Sequence, residues 1–320
     1  MTEFSQIQRQ YIEQYKKKNF KEAMHLVELA EQNHPGKIAE NSFWKSVLYC
    51  CLGSNEKALF ELKTAMAQGV WWSPELFLSI PELKPLQNET EFKEILTSCE
   101  TRLKEVQSQT KTETIVWPSK NSSVHPLIYS LHWRGDNINN FSSYWDDEEL
   151  KNRYSMAFPQ SSQLFAPEAF CWDDWKKSKD EIIETYHKVI SNDNLHKGPL
   201  IVAGASQGGK LAVELALEEN SIPAKGFILI VPAVGEANKY ESMIKKALSR
   251  NLRGVVITGD QDPYFDEAKR LCAVFEKYKF PYKLMVSKGL GHNFPEDFRT
   301  RLIKAVDFIL HDDLKDYESF

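Results

Sequence analysis

A serine stands in a glycine-rich turn between an apolar segment and a helical one. Leu200–Ala203 is continuously apolar, Gly204–Gly209 reads Gly-Ala-Ser-Gln-Gly-Gly, and Leu211 begins a helical apolar pattern. The motif G-x-S-x-G predicts a sharp strand-to-helix turn, because small residues two before and two after the serine allow strand and helix to pack closely. Such a turn exposes the serine hydroxyl at the carboxyl end of a sheet. Ser206 is therefore a candidate nucleophile.

A nucleotide-binding turn is the alternative interpretation of these glycines. A phosphate loop has the pattern G-x-x-x-x-G-K-[ST], whereas Lys210 is followed here by Leu211. The helix after Ser206 also offers backbone N–H groups and a positive dipole end where an oxyanion would form. These features favour acyl transfer over phosphate binding.

Two later loops carry the other residue types that an active serine requires. A serine hydroxyl is a poor nucleophile unless a histidine takes its proton and a carboxylate orients that histidine. After an apolar segment, Gly259–Pro263 contains Asp260 and Asp262, and after the next one Gly289–Phe294 contains His292 between glycine and asparagine. The residues themselves leave Asp260 and Asp262 both open as the orienting carboxylate.

A third loop follows an earlier apolar segment. Ile128–Leu131 leads into His132-Trp133-Arg134-Gly135-Asp136. An early strand that ends in such a loop can present a second backbone N–H to an oxyanion. We interpret His132 as a buried, hydrogen-bonded residue that shapes the loop, rather than as a catalytic group.

The segments around these loops predict an α/β domain. Continuous apolar strands that alternate with amphipathic helices are typical of a parallel sheet covered on both faces. The predicted strands are Ile115–Trp117, Pro126–Leu131, Tyr154–Phe158, Pro199–Ala203, Gly226–Val231, Gly254–Thr258 and Tyr282–Val286. The predicted helices between and after them are Lys176–Ile190, Gln207–Glu219, Asn238–Leu248, Asp266–Tyr278 and Glu296–Leu310.

The pattern of the first 110 residues predicts a small all-α domain instead. Apolar residues recur there at three- and four-residue steps, and the segment around Ala23 resembles the segment around Ala58, 35 residues later. This spacing is similar to that of tetratricopeptide helix pairs, although a plain helical bundle is the alternative. The polar stretch 107–114 is the predicted linker. We therefore expect a helical domain over 1–110 and an α/β domain over 111–320.

The charge and the hydrophobic pattern of the chain argue against nucleic acid and membrane as partners. Net charge is −5, so no basic surface is expected for nucleic acid. Apolar runs such as Gly226–Val234 are far shorter than the roughly 20 residues of a membrane span, and Met1–Gln6 lacks the apolar core of a secretory signal. The five cysteines form no CxxC pair. We therefore expect reduced thiols in a cytoplasmic protein, with no disulfide scaffold and no zinc site.

Together these motifs resemble the α/β-hydrolase superfamily. Its phospholipase/carboxylesterase branch, which includes acyl-protein thioesterases, has a Leu-His-Gly-x-Gly-Asp loop, a Gly-x-Ser-Gln-Gly turn, an Asp-Pro acid loop and a Gly-His turn. The corresponding segments here are Leu131–Asp136, Gly204–Gly208, Gly259–Pro263 and Gly291-His292. The resemblance covers about residues 115–310, and the helical domain lies outside it.

The resemblance implies a role for each residue. Ser206 would be the nucleophile, His292 the general base and acid, and Asp262, which directly precedes the proline, the orienting carboxylate. The backbone N–H groups of Arg134 and Gln207 would form the oxyanion hole.

Two tryptophans are the predicted substrate contacts. Trp133 stands where the family has a glycine, so it is expected to narrow the pocket unless it packs away against the domain. Trp172 lies in the long segment before the helix at Lys176 and is expected to contact substrate or, alternatively, to anchor that segment.

The resulting expectation is a serine hydrolase that cleaves a carboxylic ester or thioester without metal or cofactor. The alternatives are a serine peptidase of the same fold and a non-catalytic binding or scaffold protein. A protein partner would bind through the helical domain, whose role the sequence leaves open.

Overall fold

The computed structural model describes residues 3–120, 125–191, 195, 198–219 and 221–311, so Met1 and Thr2 of the N-terminal segment lie outside the described residues. The chain forms two compact units. The first unit runs to Thr110 and also includes Leu164–Pro167, and the second unit comprises Lys111–Gln163 and the chain from Glu168 onward.

Helices build the first unit. They are α1 (Glu3–Lys16), α2 (Phe20–Asn33), α3 (Ile38–Cys51), α4 (Asn55–Ala67), α5 (Pro74–Ser79) and α6 (Thr90–Gln107), with a 3₁₀ turn at Pro81–Leu86. The two alanines of the 35-residue similarity, Ala23 in α2 and Ala58 in α4, are fully buried. Their small side chains allow helix backbones to approach closely, whereas the relation to tetratricopeptide repeats stays a prediction.

Strands and helices alternate in the rest of the chain. The strands are β1 (Glu113–Trp117), β2 (Leu127–Leu131), β3 (Ser155–Gln160), β4 (Gln163–Ala166), β5 (Ala169–Cys171), β6 (Leu200–Ala205), β7 (Ala224–Ile230), β8 (Arg253–Gly259) and β9 (Tyr282–Ser287). The helices are α7 (Ile138–Ser143), α8 (Glu148–Arg153), α9 (Trp175–Ile190), α10 (Gln207–Leu217), α11 (Glu241–Ala247), α12 (Phe265–Lys277) and α13 (Phe298–Leu310). None of these described helices, nor those of the first unit, is long and apolar enough to cross a membrane.

Seven of the described strands form one sheet, in the order β1-β3-β2-β6-β7-β8-β9. Every neighbouring pair is parallel except β1 with β3. The predicted α/β fold class is confirmed. The sequence patterns missed β4, β5, α7 and α8, because segments of three to six residues are too short to show a period.

The two faces of the sheet are both buried. On one face Ile128, Ile201 and Val255 pack with residues of α13 such as Leu302, and on the other Val202 and other strand residues pack with α9, α10 and α12. Burial on both faces explains why the strands read as continuous apolar runs rather than as alternating ones.

The order in which strands are added to the sheet reverses at its centre, between β2 and β6. β2 leads to β3 on one side, whereas β6 leads through β7 and β8 to β9 on the other, and β2 and β6 are neighbours. In open parallel sheets, ligands bind outside the carboxyl ends of the strands at such a switch point. The loop after β2 and the turn after β6 therefore meet where a site is expected.

A close contact inside this sheet gives a stability prediction. A Cβ at Gly254 would lie 2.3 Å from the Phe227 ring, which itself packs against Phe275 and Phe280. Gly254→Ala should therefore lower the free energy of unfolding by about 1–3 kcal/mol, since neighbouring rings prevent Phe227 from moving away. Urea denaturation measures this, with Gly291→Ala, whose Cβ would lie 4.0 Å from its nearest neighbour, as the control. Equal stability of the two variants would contradict the packing described here.

Candidate active site

Ser206 occupies a strained turn between β6 and α10. Its backbone has φ 50° and ψ −114°, a region that residues with a side chain rarely adopt. The turn is held by hydrogen bonds from Ser206 N–H to the Ile230 carbonyl (2.9 Å) and from Ala233 N–H to the Ser206 carbonyl (3.2 Å). Strain of this kind costs about 1–3 kcal/mol and persists only where the surroundings enforce it.

Two glycines make the turn sterically feasible. A Cβ at Gly204 would lie 2.2 Å from the Gly208 carbonyl oxygen, and a Cβ at Gly208 would lie 2.3 Å from the Leu131 carbonyl oxygen. The first contact lets α10 leave directly from β6. The second brings the start of α10 against the end of β2, so that the loop after β2 lies beside Ser206.

His292 links Ser206 to a buried carboxylate. Its Nε2 is 2.9 Å from Ser206 Oγ, and its Nδ1 is 3.1 Å and 3.2 Å from the two carboxylate oxygens of Asp262. The Asp262 side chain is fully buried, and its Oδ1 also accepts a hydrogen bond from Tyr264 N–H at 2.8 Å. With Nδ1–H donating to Asp262, the Nε2 lone pair faces the serine hydroxyl and can accept its proton.

Asp260 has a different environment from Asp262. Its Oδ1 accepts a hydrogen bond from the Gly289 N–H at 2.7 Å. A further bond, from Gln261 N–H to the Leu290 carbonyl (3.0 Å), joins the same two loops. The residue pattern leaves both Asp260 and Asp262 as candidates for the orienting carboxylate. The structure places Asp262 against the imidazole, whereas Asp260 binds the backbone of the loop that carries His292.

His132 is buried beneath the loop after β2. Its Nδ1 lies 2.8 Å from the Trp133 carbonyl oxygen, and its Nε2 lies 3.3 Å from Ser161 N, so Nδ1 carries the proton and Nε2 accepts. Burial lowers the pKa of His132 to about 4, against the opposing effect of the Trp133 carbonyl. His132 is neutral at physiological pH and shapes the loop, as the sequence interpretation expected.

The two residues predicted to form the oxyanion hole come from neighbouring loops. Gln207 is the first residue of α10, where N–H groups have no acceptor within the helix, and Arg134 follows β2. Their side chains meet at one carboxylate, that of Asp173, which sequence reasoning missed. No spacing pattern marks Asp173, because its contacts are made across three separate loops.

Trp133 lies beside the imidazole. Its ring is nearly parallel to that of His292 with centroids 6.4 Å apart, and its Nε1–H donates to Asp136. Three further aromatic residues belong to the same group: Tyr264 contacts the His292 ring, and Tyr144 and Phe294 contact Trp133. We call Trp133, Tyr144, Tyr264 and Phe294 the aromatic wall. Tyr264 and Phe294 adjoin the acid and histidine loops in sequence, but no local pattern indicates Tyr144.

Trp172 is placed differently from the substrate contact that was expected. Only 3% of its surface is exposed, its Nε1–H donates to the His132 carbonyl at 2.9 Å, and its ring packs on the His132 ring at 4.7 Å. A buried indole offers no surface to a ligand. This corrects the expected substrate contact in favour of the alternative, an anchor for the segment before α9.

The cysteines and the possible metal ligands of the described residues are both predicted from the sequence to lack a special role. All five cysteines are free thiols, and burial raises the pKa of each. Within the ranges that the structure describes, no group of three or more His, Cys, Asp or Glu side chains could hold a metal ion.

Comparison with known proteins agrees with this architecture. Residues 3–107 match a family described as the A/B hydrolase-like N-terminal domain. An uncharacterized protein from Bacillus cereus ATCC 10987 has a similar structure, with 27% identity, a TM-score of 0.55, and alignment over 96% of this chain and 99% of that one. Esterase PE8 aligns over 62% of this chain and all of its own, with 16% identity and a TM-score of 0.52. The chain has the α/β-hydrolase fold, preceded by a helical part that matches the A/B hydrolase-like N-terminal domain.

A maize (Zea mays) acyl-protein thioesterase 2 is also similar, with 15% identity, a TM-score of 0.49, and alignment over 63% of this chain and all of its own. No curated protein matches the sequence. The α/β-hydrolase resemblance drawn from the motifs is thus confirmed at the level of the fold, and the B. cereus structure extends the similarity over the helical domain as well.

The buried imidazole of His132 gives a prediction about pH and stability. Its folded pKa of about 4 lies below the unfolded value of 6.5, so its contribution to stability is complete above pH 6.5 and is lost as pH falls toward 4. The two pKa values correspond to a loss of about 3 kcal/mol in the free energy of unfolding.

His132→Gln should show a shallower fall in the free energy of unfolding between pH 6.5 and 4. Denaturant titrations at several pH values measure this, with the exposed His187→Gln as the control. Parallel pH profiles for His132→Gln and wild type would be incompatible with a neutral buried imidazole.

Proposed function

We propose that this protein is a serine hydrolase that cleaves a carboxylic ester or thioester through an acyl-enzyme intermediate. The observation that supports it most directly is the continuous hydrogen-bonded chain from Ser206 through His292 to the buried Asp262. A general base within about 3 Å of a serine hydroxyl, itself oriented by a third group, is the arrangement that activates a serine nucleophile.

The first half-reaction forms the acyl-enzyme. Ser206 Oγ attacks the carbonyl carbon while His292 Nε2 takes the hydroxyl proton, and the carbonyl oxygen becomes an oxyanion. The backbone N–H groups of Arg134 and Gln207 would donate to this oxyanion, each contributing about 3 kcal/mol to the barrier reduction. Collapse of the intermediate breaks the bond to the leaving alcohol or thiol, which receives the proton held by His292.

The second half-reaction regenerates the enzyme. A water molecule gives a proton to His292 Nε2 and attacks the acyl carbon, and the new intermediate expels Ser206 Oγ, which recovers the proton. In both halves Asp262 accepts the Nδ1–H bond, which keeps the imidazole in the reactive tautomer and stabilises its charged form.

The aromatic wall favours a substrate with an apolar group next to the scissile bond. Tyr144 and Tyr264 are about two-fifths exposed, and Trp133 is partly exposed beside His292. Trp133 stands where the resembled family has a glycine, so its ring fills space that a glycine would leave open. A bulky group of the substrate would contact this ring. The free thiols are in keeping with the cytoplasmic setting that we also propose.

Labelling of the serine tests this proposal first. A fluorophosphonate should react with the folded wild-type protein and not with Ser206→Ala, because only a serine activated by an imidazole attacks phosphorus rapidly. Gel fluorescence or intact mass measures the label, and the exposed Ser249→Ala should label like wild type. A panel of p-nitrophenyl esters, acyl thioesters and peptide amides then identifies the bond that is cleaved. Wild-type protein that stays unlabelled would favour a binding or scaffold role, and cleavage of amides alone would favour a peptidase.

The two carboxylates after β8 give a second prediction. Asp262→Asn should lower kcat for p-nitrophenyl acetate by about 10⁴-fold, because an amide at this position stabilises the wrong tautomer of His292. Asp260→Asn should stay within about tenfold of wild type, since an amide oxygen can still accept from Gly289 N–H. Steady-state kinetics at pH 8 compare the two. The assignment is wrong if Asp260→Asn proves the more damaging substitution.

A further inference from the structure

We infer that Asp173 is a positioning residue that aligns the two oxyanion donors, Arg134 and Gln207, by holding both of their side chains on a single carboxylate. This inference rests on the proposed function, because it assigns a task to Asp173 within the same reaction. It adds a residue outside the serine–histidine–aspartate set and outside the two loops that carry the donors.

Three hydrogen bonds converge on the Asp173 carboxylate. Arg134 binds it through both nitrogens of one edge, with Nε 3.0 Å from Oδ1 and Nη2 2.9 Å from Oδ2. Gln207 donates from Nε2 to Oδ1 at 2.7 Å. A two-point arginine–carboxylate contact fixes the orientation of both groups, which a single point contact does not.

The charge of Asp173 is maintained in this position. Partial burial alone would raise the pKa of Asp173, but hydrogen bonds from Arg134 and Gln207 and the positive charge of Arg134 lower it below its usual value. The carboxylate therefore stays ionised over the working pH range. About two-thirds of each side chain, Arg134 and Asp173, is covered, so the pair is less screened by water than a surface ion pair.

The backbone just before Asp173 is hydrogen-bonded to the same two loops. Trp172 N–H donates to Gln207 Oε1 at 2.9 Å, and Gly135 N–H donates to the Phe170 carbonyl at 2.7 Å. The Gln207 amide is thus bound at both ends by adjacent residues of one segment. Of the residues that make these contacts, Asp173 is the one that binds both the Arg134 side chain and the Gln207 side chain.

The need for such a bridge follows from the topology. Arg134 follows β2 and Gln207 follows Ser206, so the two N–H groups belong to loops that are far apart in the chain. An oxyanion hole works only when both donors meet the same oxygen, and a displacement of 1 Å costs about 100-fold in rate. Asp173 connects the loops through charged hydrogen bonds that resist such a displacement.

The neighbouring aspartate has a separate and purely structural task. Asp174 caps the N-terminus of α9, where its Oδ1 accepts from Lys177 N–H at 3.0 Å. Asp174→Asn keeps this cap, since asparagine is an equally good capping residue. It removes one negative charge next to Asp173 without touching either donor, which makes it a matched control.

The test compares Asp173→Asn with Asp174→Asn in the full-length protein. We expect Asp173→Asn to lower kcat/KM for a p-nitrophenyl ester by about 10–100-fold, because one amide oxygen cannot accept all three bonds. Asp174→Asn should stay within about twofold of wild type. The apparent pKa of the kcat/KM pH profile should be the same in all three proteins, because the Ser206–His292–Asp262 contacts are unchanged.

A transition-state analogue distinguishes alignment of the donors from a general loss of structure. An aryl trifluoromethyl ketone adds to the serine and leaves its oxyanion in the hole, so its affinity should fall in Asp173→Asn by the same factor as kcat/KM. The thermal midpoint should change little. A shifted pH profile, or a fall in activity without a matching fall in analogue affinity, would overturn the assignment.

A second variant, Arg134→Gln, keeps the inference testable if Asp173→Asn folds poorly. Arg134→Gln retains the backbone donor and removes the guanidinium, so it should lose activity in the same way as Asp173→Asn. Where Asp173→Asn folds, the double variant should be no worse than Asp173→Asn alone, since Asp173→Asn already disrupts the contact that Arg134→Gln removes. Additive losses would show that Asp173 acts independently of Arg134, against the inference.

The wild-type activity separates failure of this inference from failure of the proposed function. If wild type neither turns over esters nor binds fluorophosphonate at Ser206, the proposed function itself fails. If wild type is active and both Asp173→Asn and Arg134→Gln retain full activity and analogue affinity, only the role of Asp173 fails.

Discussion

The site depends on one steric constraint, the approach of the first turn of α10 to the end of β2. Gly208 allows it, because any side chain there would overlap the carbonyl oxygens of Leu131 and His132. This contact places the loop after β2 beside Ser206, whose positive φ belongs to the turn that the close approach of Gly204 to Gly208 makes possible. The loop after β2 and the turn after β6 are therefore brought together by one packing contact.

The rest of the fold serves to hold that contact. β2 and β6 are neighbours, and their side chains are buried on both faces, so neither strand can shift to relieve the turn. β8 and β9 continue the sheet in the same direction, which brings the acid loop and the histidine loop to the same edge. Asp260 then binds the backbone of the histidine loop at Gly289, which connects the two loops three residues before His292.

The sequence predicted the parallel sheet and the residues of the serine–histidine–aspartate set because each is marked by a local pattern. Strands buried on both faces read as apolar runs, and Ser206 lies in a motif that a sharp turn requires. The residues alone did not separate Asp260 from Asp262, because both follow β8; only the resemblance, through the proline after Asp262, favoured one of them. Trp172 and Asp173 show the same limit: one is buried and the other bridges two loops, and neither fact is written in the spacing.

The two histidines near Ser206, His132 and His292, differ in burial and in hydrogen-bond partners. His132 is fully buried with the Trp133 carbonyl and the Ser161 N–H as partners, so burial dominates and the ring stays neutral. His292 is partly exposed, and its Nδ1 lies 3.1 Å from the buried carboxylate of Asp262 while its Nε2 lies 2.9 Å from Ser206 Oγ. The neutral ring of His132 instead supports the loop after β2 from below, because its two nitrogens bind the backbone of Trp133 and Ser161 and its face packs on Trp172.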